Sequence, residues 1–378
     1  MILPMKYIFK KKWLKIFMGL FDFFGRILYF PGWLKKPLGE HPGNIAVLRF
    51  DHIGDIINTT PLLRALRSKY KNANIDVYVS PWGEEAIAGN PRVNNIFIVK
   101  TNIYKRDIKT RIGLASILSI ASIIRKKKYD IGISARGDIR EIFLLRAAGA
   151  RHIVSYGVTG GAFMADTIPE YQFGSHEIDI NLNIAKALDC PDLSPETEFF
   201  IKEEDMYVRR LFGLGAGKYL VFHVGSGASS KRWHPYKFAR LIAMLKDTGL
   251  NVVLVGSGSE TQNVMKSLSD KGNVVDLGGK TTLSRLGAVL REAVLFVGTD
   301  SGPSHIAAAL DVPSIILFSG ANLPSRWAPR GRNVKVIYKN TSCSPCCSFD
   351  CRVKGHPCME NITESEIYRQ IRSIIDRP

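Results

Sequence analysis

A chain of 378 residues with 46% apolar residues is long enough for two domains with their own cores, and its composition excludes a disordered protein. Its formal charge of +18 points to an anionic partner: nucleic acid, a lipid surface or a phosphorylated ligand.

Residues 1–40 carry eight Lys/Arg against Asp22 and Glu40, interleaved with Trp13, Phe17, Phe21, Phe23, Phe24, Tyr29 and Trp33. Asp22 and Arg26 interrupt the apolar run and Pro31-Gly32 ends it, which makes a poor spanning helix, and no small-residue cleavage site follows. The pattern predicts an interfacial amphipathic helix. Its aromatics would sit at lipid headgroups, with Lys10, Lys11, Lys12 and Lys15 toward anionic lipid. A helix packed on the protein's own core has the same pattern.

An α/β pattern begins at Asn44. A β-rich run over 44–50 passes through a Gly-containing turn into a helix over 62–70. Strands are predicted over 75–80, 96–99, 131–134 and 152–156, separated by helices over 112–127 and 139–148, which is one doubly wound half. Asp51 and Asp55 flank the first turn. A carboxylate there either takes a proton from a substrate or caps a helix. Arg136 and Arg140, past the 131–134 strand, are placed to meet an anionic acceptor, whereas Arg125 to Lys128 reads as a solvated helix end. A helix opens at His176-Glu177 and runs to 188, and the Pro- and acid-rich stretch 190–198 is the predicted linker.

The second half restarts with a strand over 219–224. The loop after it holds Ser226, Gly227 and Lys231, followed by Trp233, which reads as packing, and a helix over 238–248. The strand over 251–255 enters a turn with Gly256, Gly258 and Glu260. With Asp276 beyond, this imitates a nicotinamide fingerprint, but Thr261 stands where the third glycine belongs. The stretch 293–318 reads as a strand over 294–297, a polar turn, a helix over 306–310 and a strand over 314–318. Its polar residues gather at the strand's carboxyl end, where α/β proteins bind ligands. Thr299 and Ser301 offer hydroxyls, Gly302 permits close approach, and Pro303 suits the first turn of a helix whose N–H groups attract phosphate. Asp300 is either an N-cap or a partner of sugar hydroxyls. No GxxxxGK[ST] loop, zinc-protease or serine-hydrolase motif occurs.

In order, RFDHIGDIINTTPLLRALR, HVGSGASSKRWHPYKFARL, LVGSGSE and VGTDSGPSHIAAALDVPSIILF resemble the family-nine glycosyltransferases, the ADP-heptose:lipopolysaccharide heptosyltransferases. The resemblance implies an α/β fold of the GT-B class, two Rossmann-like, doubly wound parallel-sheet domains facing across a cleft. They would span 41–190 and 191–360, with a last helix over 361–378 packing back on the first. It implies inverting transfer of a heptose from an ADP-sugar to lipopolysaccharide core or another lipid-linked saccharide. The enzyme would be cytoplasmic and peripheral on the inner face of the inner membrane, with no cofactor and no nucleic-acid partner.

Residue by residue, Asp55 matches the family's general base, Lys231 the lysine that neutralises the leaving diphosphate, and Asp300 the aspartate that holds the heptose. Thr299, Ser301 and Gly302 match the diphosphate turn, His305 a histidine lining it, and Glu260 an acid that contacts the nucleoside. Ser226 and Gly227 match the loop over the phosphates by position. Asp51, Arg136 and Arg140 are the acceptor candidates. No Asp-x-Asp pair occurs, so Lys231 and helix N–H groups are expected to do the work a divalent metal does elsewhere, with no metal required for catalysis.

Five of the six cysteines fall in CSPCCSFDCRVKGHPC. The spacing allows a structural zinc at Cys343, Cys346, Cys351 and Cys358, disulfides, or the free thiols expected of a cytoplasmic enzyme. Two rival functions share these features. A sugar-nucleotide epimerase of the same architecture needs no acceptor, and a non-enzymatic membrane or nucleic-acid binder explains the charge but neither Asp55 nor the Asp300 turn.

Overall fold

The structure, a computed structural model, describes residues 7–9, 11–28, 39, 41–100 and 114–376. Lys10, Tyr29, Pro31-Gly32 and Trp33, and the start of the helix expected over 112–127, lie outside the described residues.

The chain divides into two compact units. The first comprises residues 1–84, 90–173 and 178–195, and the second 85–89, 174–177 and 196–378. The division at 195/196 falls inside the Pro- and acid-rich stretch. Each unit is a parallel sheet with its own buried core, so the doubly wound α/β class read from the sequence is what the chain adopts.

In the first unit β1 (Asn44–Arg49), β2 (Asn74–Val79), β3 (Asn95–Ile98), β4 (Ile131–Ser134) and β5 (His152–Ser155) run parallel in the order β3-β2-β1-β4-β5. β1 lies between Ile75 of β2 and Ile131 of β4, both in register with its Ile45. Strands covered on both faces read as continuous apolar runs rather than alternating ones, and β1 is buried from Ile45 to Arg49. The helices of this unit are α1 (Lys12–Leu28), α2 (Ile53–Ile57), α3 (Thr60–Lys69), α5 (Leu114–Arg125), α6 (Ile139–Ala147) and α7 (Glu177–Ala187), while the single turn α4 (Glu84–Ile87) falls mostly in the stretch 85–89 of the second unit. Leu48, Phe50, Ile142, Leu145 and Ile153 form the heart of this core.

α1 is tied to the first unit by one edge. Met18, Asp22 and Gly25 recur at helical spacing along it. Asp22, 2% exposed, accepts hydrogen bonds from the Tyr7 hydroxyl at 2.7 Å and the Gly161 amide at 2.7 Å. A side chain at Gly25 would lie 2.4 Å from the Phe163 ring, so only glycine allows this contact. The opposite edge, with Trp13, Phe17, Leu20, Phe24 and Ile27, is more than half exposed throughout. Asp22, read from the sequence as an interruption, is the anchor. Among the described residues no helix is long and apolar enough to cross a membrane.

The second unit holds six parallel strands in the order β11-β10-β9-β6-β7-β8. They are β6 (Tyr219–His223), β7 (Asn251–Val255), β8 (Val274–Asp276), β9 (Leu295–Thr299), β10 (Ser314–Phe318) and β11 (Val334–Tyr338). Chain order reverses at β6, whose neighbours are β7 and β9. Its helices are α8 (Val208–Leu211), α9 (Pro235–Met244), α10 (Gly258–Ser267), α11 (Leu283–Arg291), α12 (Gly302–Ala309), α13 (Pro324–Trp327), α14 (Pro357–Glu360) and α15 (Glu364–Ile375).

α15 packs on its own unit, against α9, with Ile367 and Ile371 buried in the second core. Two buried polar groups hold the segment before it. Trp233 donates its indole N–H to the Ile362 carbonyl at 3.1 Å, and Lys237 donates its ammonium to the Glu360 carbonyl at 2.6 Å. Replacing Ile371, fully buried, by alanine removes a core side chain from this seam. The expected loss is about 2–5 kcal/mol of unfolding free energy, measured by denaturant titration, with the rest of the second unit intact below the transition.

Candidate functional site

Parallel strands place their carboxyl ends on one side of a sheet, and the reversal of strand order opens a crevice there. In the second unit four loops follow β6, β7, β9 and β10 at that side, carrying Ser226 to Lys231, Glu260, Asp300 to Gly302, and Asn322. At their centre the Lys231 ammonium meets Asp300 Oδ2 at 2.5 Å, with side-chain exposures of 17% and 6%. Asn322 donates to the same carboxylate oxygen at 3.1 Å. Asp300 therefore does not cap α12. Its charge is balanced by an ammonium and an amide.

The turn around it is braced from within. Thr299 is fully buried and its hydroxyl donates to the Gly225 carbonyl at 2.8 Å, so it ties β9 to the β6 loop instead of offering a hydroxyl to solvent. The Ser301 hydroxyl lies 3.1 Å from His223 Nδ1 and donates to the Thr299 carbonyl at 3.1 Å. Ser301 is the N-cap residue of α12, Gly302 opens the helix, and Pro303 carries no N–H. The electropositive groups at this helix start are the amides before Pro303 and the helix dipole. His305 is 6% exposed on the first turn.

Glu260 links a second pair of loops. It completes a capping box on α10, accepting from the Ser257 amide at 3.1 Å, and also accepts from the Ser226 amide at 3.2 Å. Arg232 lies 3.4 Å from Oε1, the oxygen that accepts from Ser226. Burial pushes its pKa up, but the hydrogen bonds from Ser257 and Ser226 outweigh this and hold it below the ordinary carboxylate value. A side chain at Gly225 would meet Glu260 at 2.1 Å, so the loop needs glycine there.

The first unit carries a compact charge cluster at the end of β1. Arg49, 1% exposed, lies 3.3 Å from Asp51 Oδ2 through Nε and 3.6 Å from Asp55 Oδ1 through Nη2. Asp55 stands in the first turn of α2, where the His52 amide donates to Oδ2 at 3.1 Å; its side chain is 14% exposed. It is thus a capping residue that still reaches the surface. Arg136 pairs with Asp51 on the side away from Arg49, its own side chain 39% exposed. Arg140 differs from the expectation. It commits Nε and Nη2 to the two oxygens of Asp138, at 2.8 and 2.7 Å, and so is bound to the cap of its own helix. Arg49, His223 and Asn322 were not singled out in the sequence, although a charge inside an apolar strand run such as NIAVLRF is itself a signal.

Among the described residues no group of three or more His, Cys, Asp or Glu is placed to hold a metal ion, and the six thiols are free. Cys358 is buried in the second core, whereas Cys347 is exposed and Cys343 sits beside the Thr341 hydroxyl.

Comparison with known proteins gives these features a setting. Residues 117–356, more than half of the chain, match the model of "Glycosyltransferase family 9 (heptosyltransferase)". Lipopolysaccharide heptosyltransferase 3 of Escherichia coli strain K12 is 28% identical over 292 residues, 74% of this chain and 83% of that protein. Among solved structures, a glycosyl transferase of family 9 from Veillonella parvula superposes with a TM-score of 0.75 at 22% identity, covering 90% of this chain and 99% of that one. An Escherichia coli heptosyltransferase solved with ADP gives 0.68 at 19% identity, covering 87% and 99%.

Two buried histidines make the second unit pH-sensitive. Burial pushes His223 and His305 down from an ordinary 6.5 to about 4, against the opposing pull of Glu260 on the first and Asp300 on the second. A folded pKa below the unfolded one means that the unfolded chain takes up protons the folded chain refuses. Stability is therefore fully present above about pH 6.5 and falls as pH drops toward 4. Denaturant titrations across that range are expected to show the loss, and replacing His223 by glutamine is expected to flatten the slope.

Proposed function

The chain belongs to glycosyltransferase family 9, and from that premise we propose that it transfers a heptose from ADP-heptose to a lipopolysaccharide core acceptor, with inversion and without a catalytic metal. The donor and acceptor classes rest on the relatives: one is named a lipopolysaccharide heptosyltransferase and another was solved with ADP. The observation that carries the reading is the Lys231–Asp300 pair at the strand ends beside the start of α12.

The acceptor hydroxyl oxygen bonds to the anomeric carbon of the heptose while the bond from that carbon to the diphosphate breaks. The bonding pair leaves on the β-phosphate of ADP. Lys231 and the electropositive start of α12 receive that charge, the work that positive groups do for a departing diphosphate. Ser226, Gly227 and Ser301 line the phosphates and His305 backs them as a neutral imidazole. Asp300 and Asn322 take the sugar hydroxyls, and Glu260 holds the loop that meets the nucleoside. Thr299 contributes its main chain. Asp55 accepts the hydroxyl proton, while Asp51 and Arg136, braced on Arg49, form the acceptor side. Arg140 joins them once its hold on Asp138 is exchanged for an acceptor anion.

The acceptor is lipid-linked, and α1 suits that. Its exposed edge, from Trp13 to Ile27, would lie at an anionic membrane surface with Lys11, Lys12 and Lys15 beside it, a peripheral attachment at the cytoplasmic face of the inner membrane. An apolar groove of about 490 Å³ between α1 and Phe163 adds to the surface available to acyl chains.

Two outcomes follow. Asp55→Asn is expected to lower kcat by about a hundredfold or more in a transfer assay with ADP-heptose, with ADP affinity unchanged; wild-type turnover in that variant refutes the base. Full-length protein is expected to float with phosphatidylglycerol vesicles and to be released by salt. A Trp13→Glu, Phe17→Glu, Phe24→Glu variant is expected to stay in solution while still acting on a soluble acceptor.

A further inference from the structure

The cysteine-rich segment lies across the two loops that carry Lys231 and Asn322, the groups that meet on Asp300. On one side it grips the residues before Lys231. The Ser230 amide donates to the Phe349 carbonyl at 3.0 Å, and the Ser230 hydroxyl to the Ser348 carbonyl at 2.6 Å. The Ser229 hydroxyl donates to Asp350 at 2.5 Å, and His356 Nε2 lies 2.9 Å from the Ser230 carbonyl. On the other side it grips the residues before Asn322. The Cys346 amide donates to the Gly320 carbonyl at 2.9 Å and the Cys347 amide to the Ala321 carbonyl at 3.0 Å. A side chain at Gly320 would collide with the Ser344 hydroxyl at 2.2 Å, so the contact is close as well as hydrogen-bonded.

These bonds have a common consequence. Lys231 and Asn322 are the two groups that meet on Asp300 Oδ2, and each follows directly on residues held by this one segment. Lysine has four rotatable bonds and no geometric preference of its own. Its ammonium is directed only as well as its backbone is held. We propose that residues 343–356 are a positioning clamp for the donor site, fixing the Lys231 loop and the Asn322 loop at the separation a diphosphate-sugar requires, with His356 as its principal side-chain contact. The proposal rests on the reading of Lys231 as the diphosphate contact. His356 is a positioning residue, acting on the donor through Ser230 and Lys231.

Its bond has a defined polarity. The Ser230 carbonyl only accepts, so His356 Nε2 carries the proton and donates. A glutamine side chain can donate through its amide in the same way, and an alanine cannot. Four of the five clustered thiols are at least partly exposed and lie on the clamp, so their alkylation acts on the donor site from outside it.

The test is ADP affinity by titration calorimetry on the full chain. His356→Ala is expected to weaken ADP binding about tenfold with the apparent KM for acceptor unchanged, and His356→Gln to restore it to within about twofold. Asp350→Ala, at an exposed position, is expected to weaken ADP in the same direction and keeps the test open if His356→Ala does not fold. Wild-type ADP affinity in His356→Ala and Asp350→Ala, while Lys231→Ala loses binding, overturns the clamp and leaves the transferase reading standing. Undiminished ADP binding by Lys231→Ala overturns both.

Discussion

The second unit is organised around one ion pair, Lys231 with Asp300, taken almost wholly out of water. Removing two charges from solvent costs several kcal/mol each, and their attraction offsets this only when geometry is good and the remaining lone pairs are satisfied. Asn322 supplies the additional hydrogen bond, and the braced turn around Thr299 and Ser301 holds the carboxylate still. Such a pair is poor evidence of stability. It stores a positive charge, dry and aimed, at a strand end where an anion can claim it, and a buried pair that stabilised the fold alone would have no reason to sit at the mouth of four loops.

The first unit repeats the device with the signs exchanged. There a buried guanidinium, Arg49, serves two carboxylates, and the second of them, Asp55, reaches the surface from the first turn of α2. The capping role and the proposed catalytic one are compatible, because the His52 amide holds one oxygen of Asp55 and leaves the group oriented. In each unit a charge that would be expensive alone is kept by a partner deeper in the protein. The surface member is then stiff, which a reacting group needs more than it needs strength.

Much of this was legible in the sequence because burial on both faces leaves an unbroken apolar run. β4, β7 and β10 were read to the residue, and the polar turns after β6, β7 and β9 were found because glycine and hydroxyl residues cluster where strands end. β8 and β11 went unread: they are edge strands, short or half-buried, without the run that marks the centre of the sheet. The amphipathic pattern of the terminal helix states that a face is covered and not by what; in the structure that face lies against α9. Arg49 and His223 lay inside apolar strands, where a lone polar group could have been taken as the sign of a buried partner. The cysteine segment left zinc, disulfides and free thiols open in the sequence, and the thiols are free in the structure. Its spacing fits a metal site, yet most of its contacts with the two loops run through main-chain amides and carbonyls, which leave no mark on residue identity.

The measurement that bears most directly on this account is a crystal structure of the protein with ADP. The account requires the diphosphate at the start of α12, with the Lys231 ammonium turned from Asp300 onto a phosphate oxygen. A structure with the phosphates elsewhere and Lys231 still on Asp300 contradicts it.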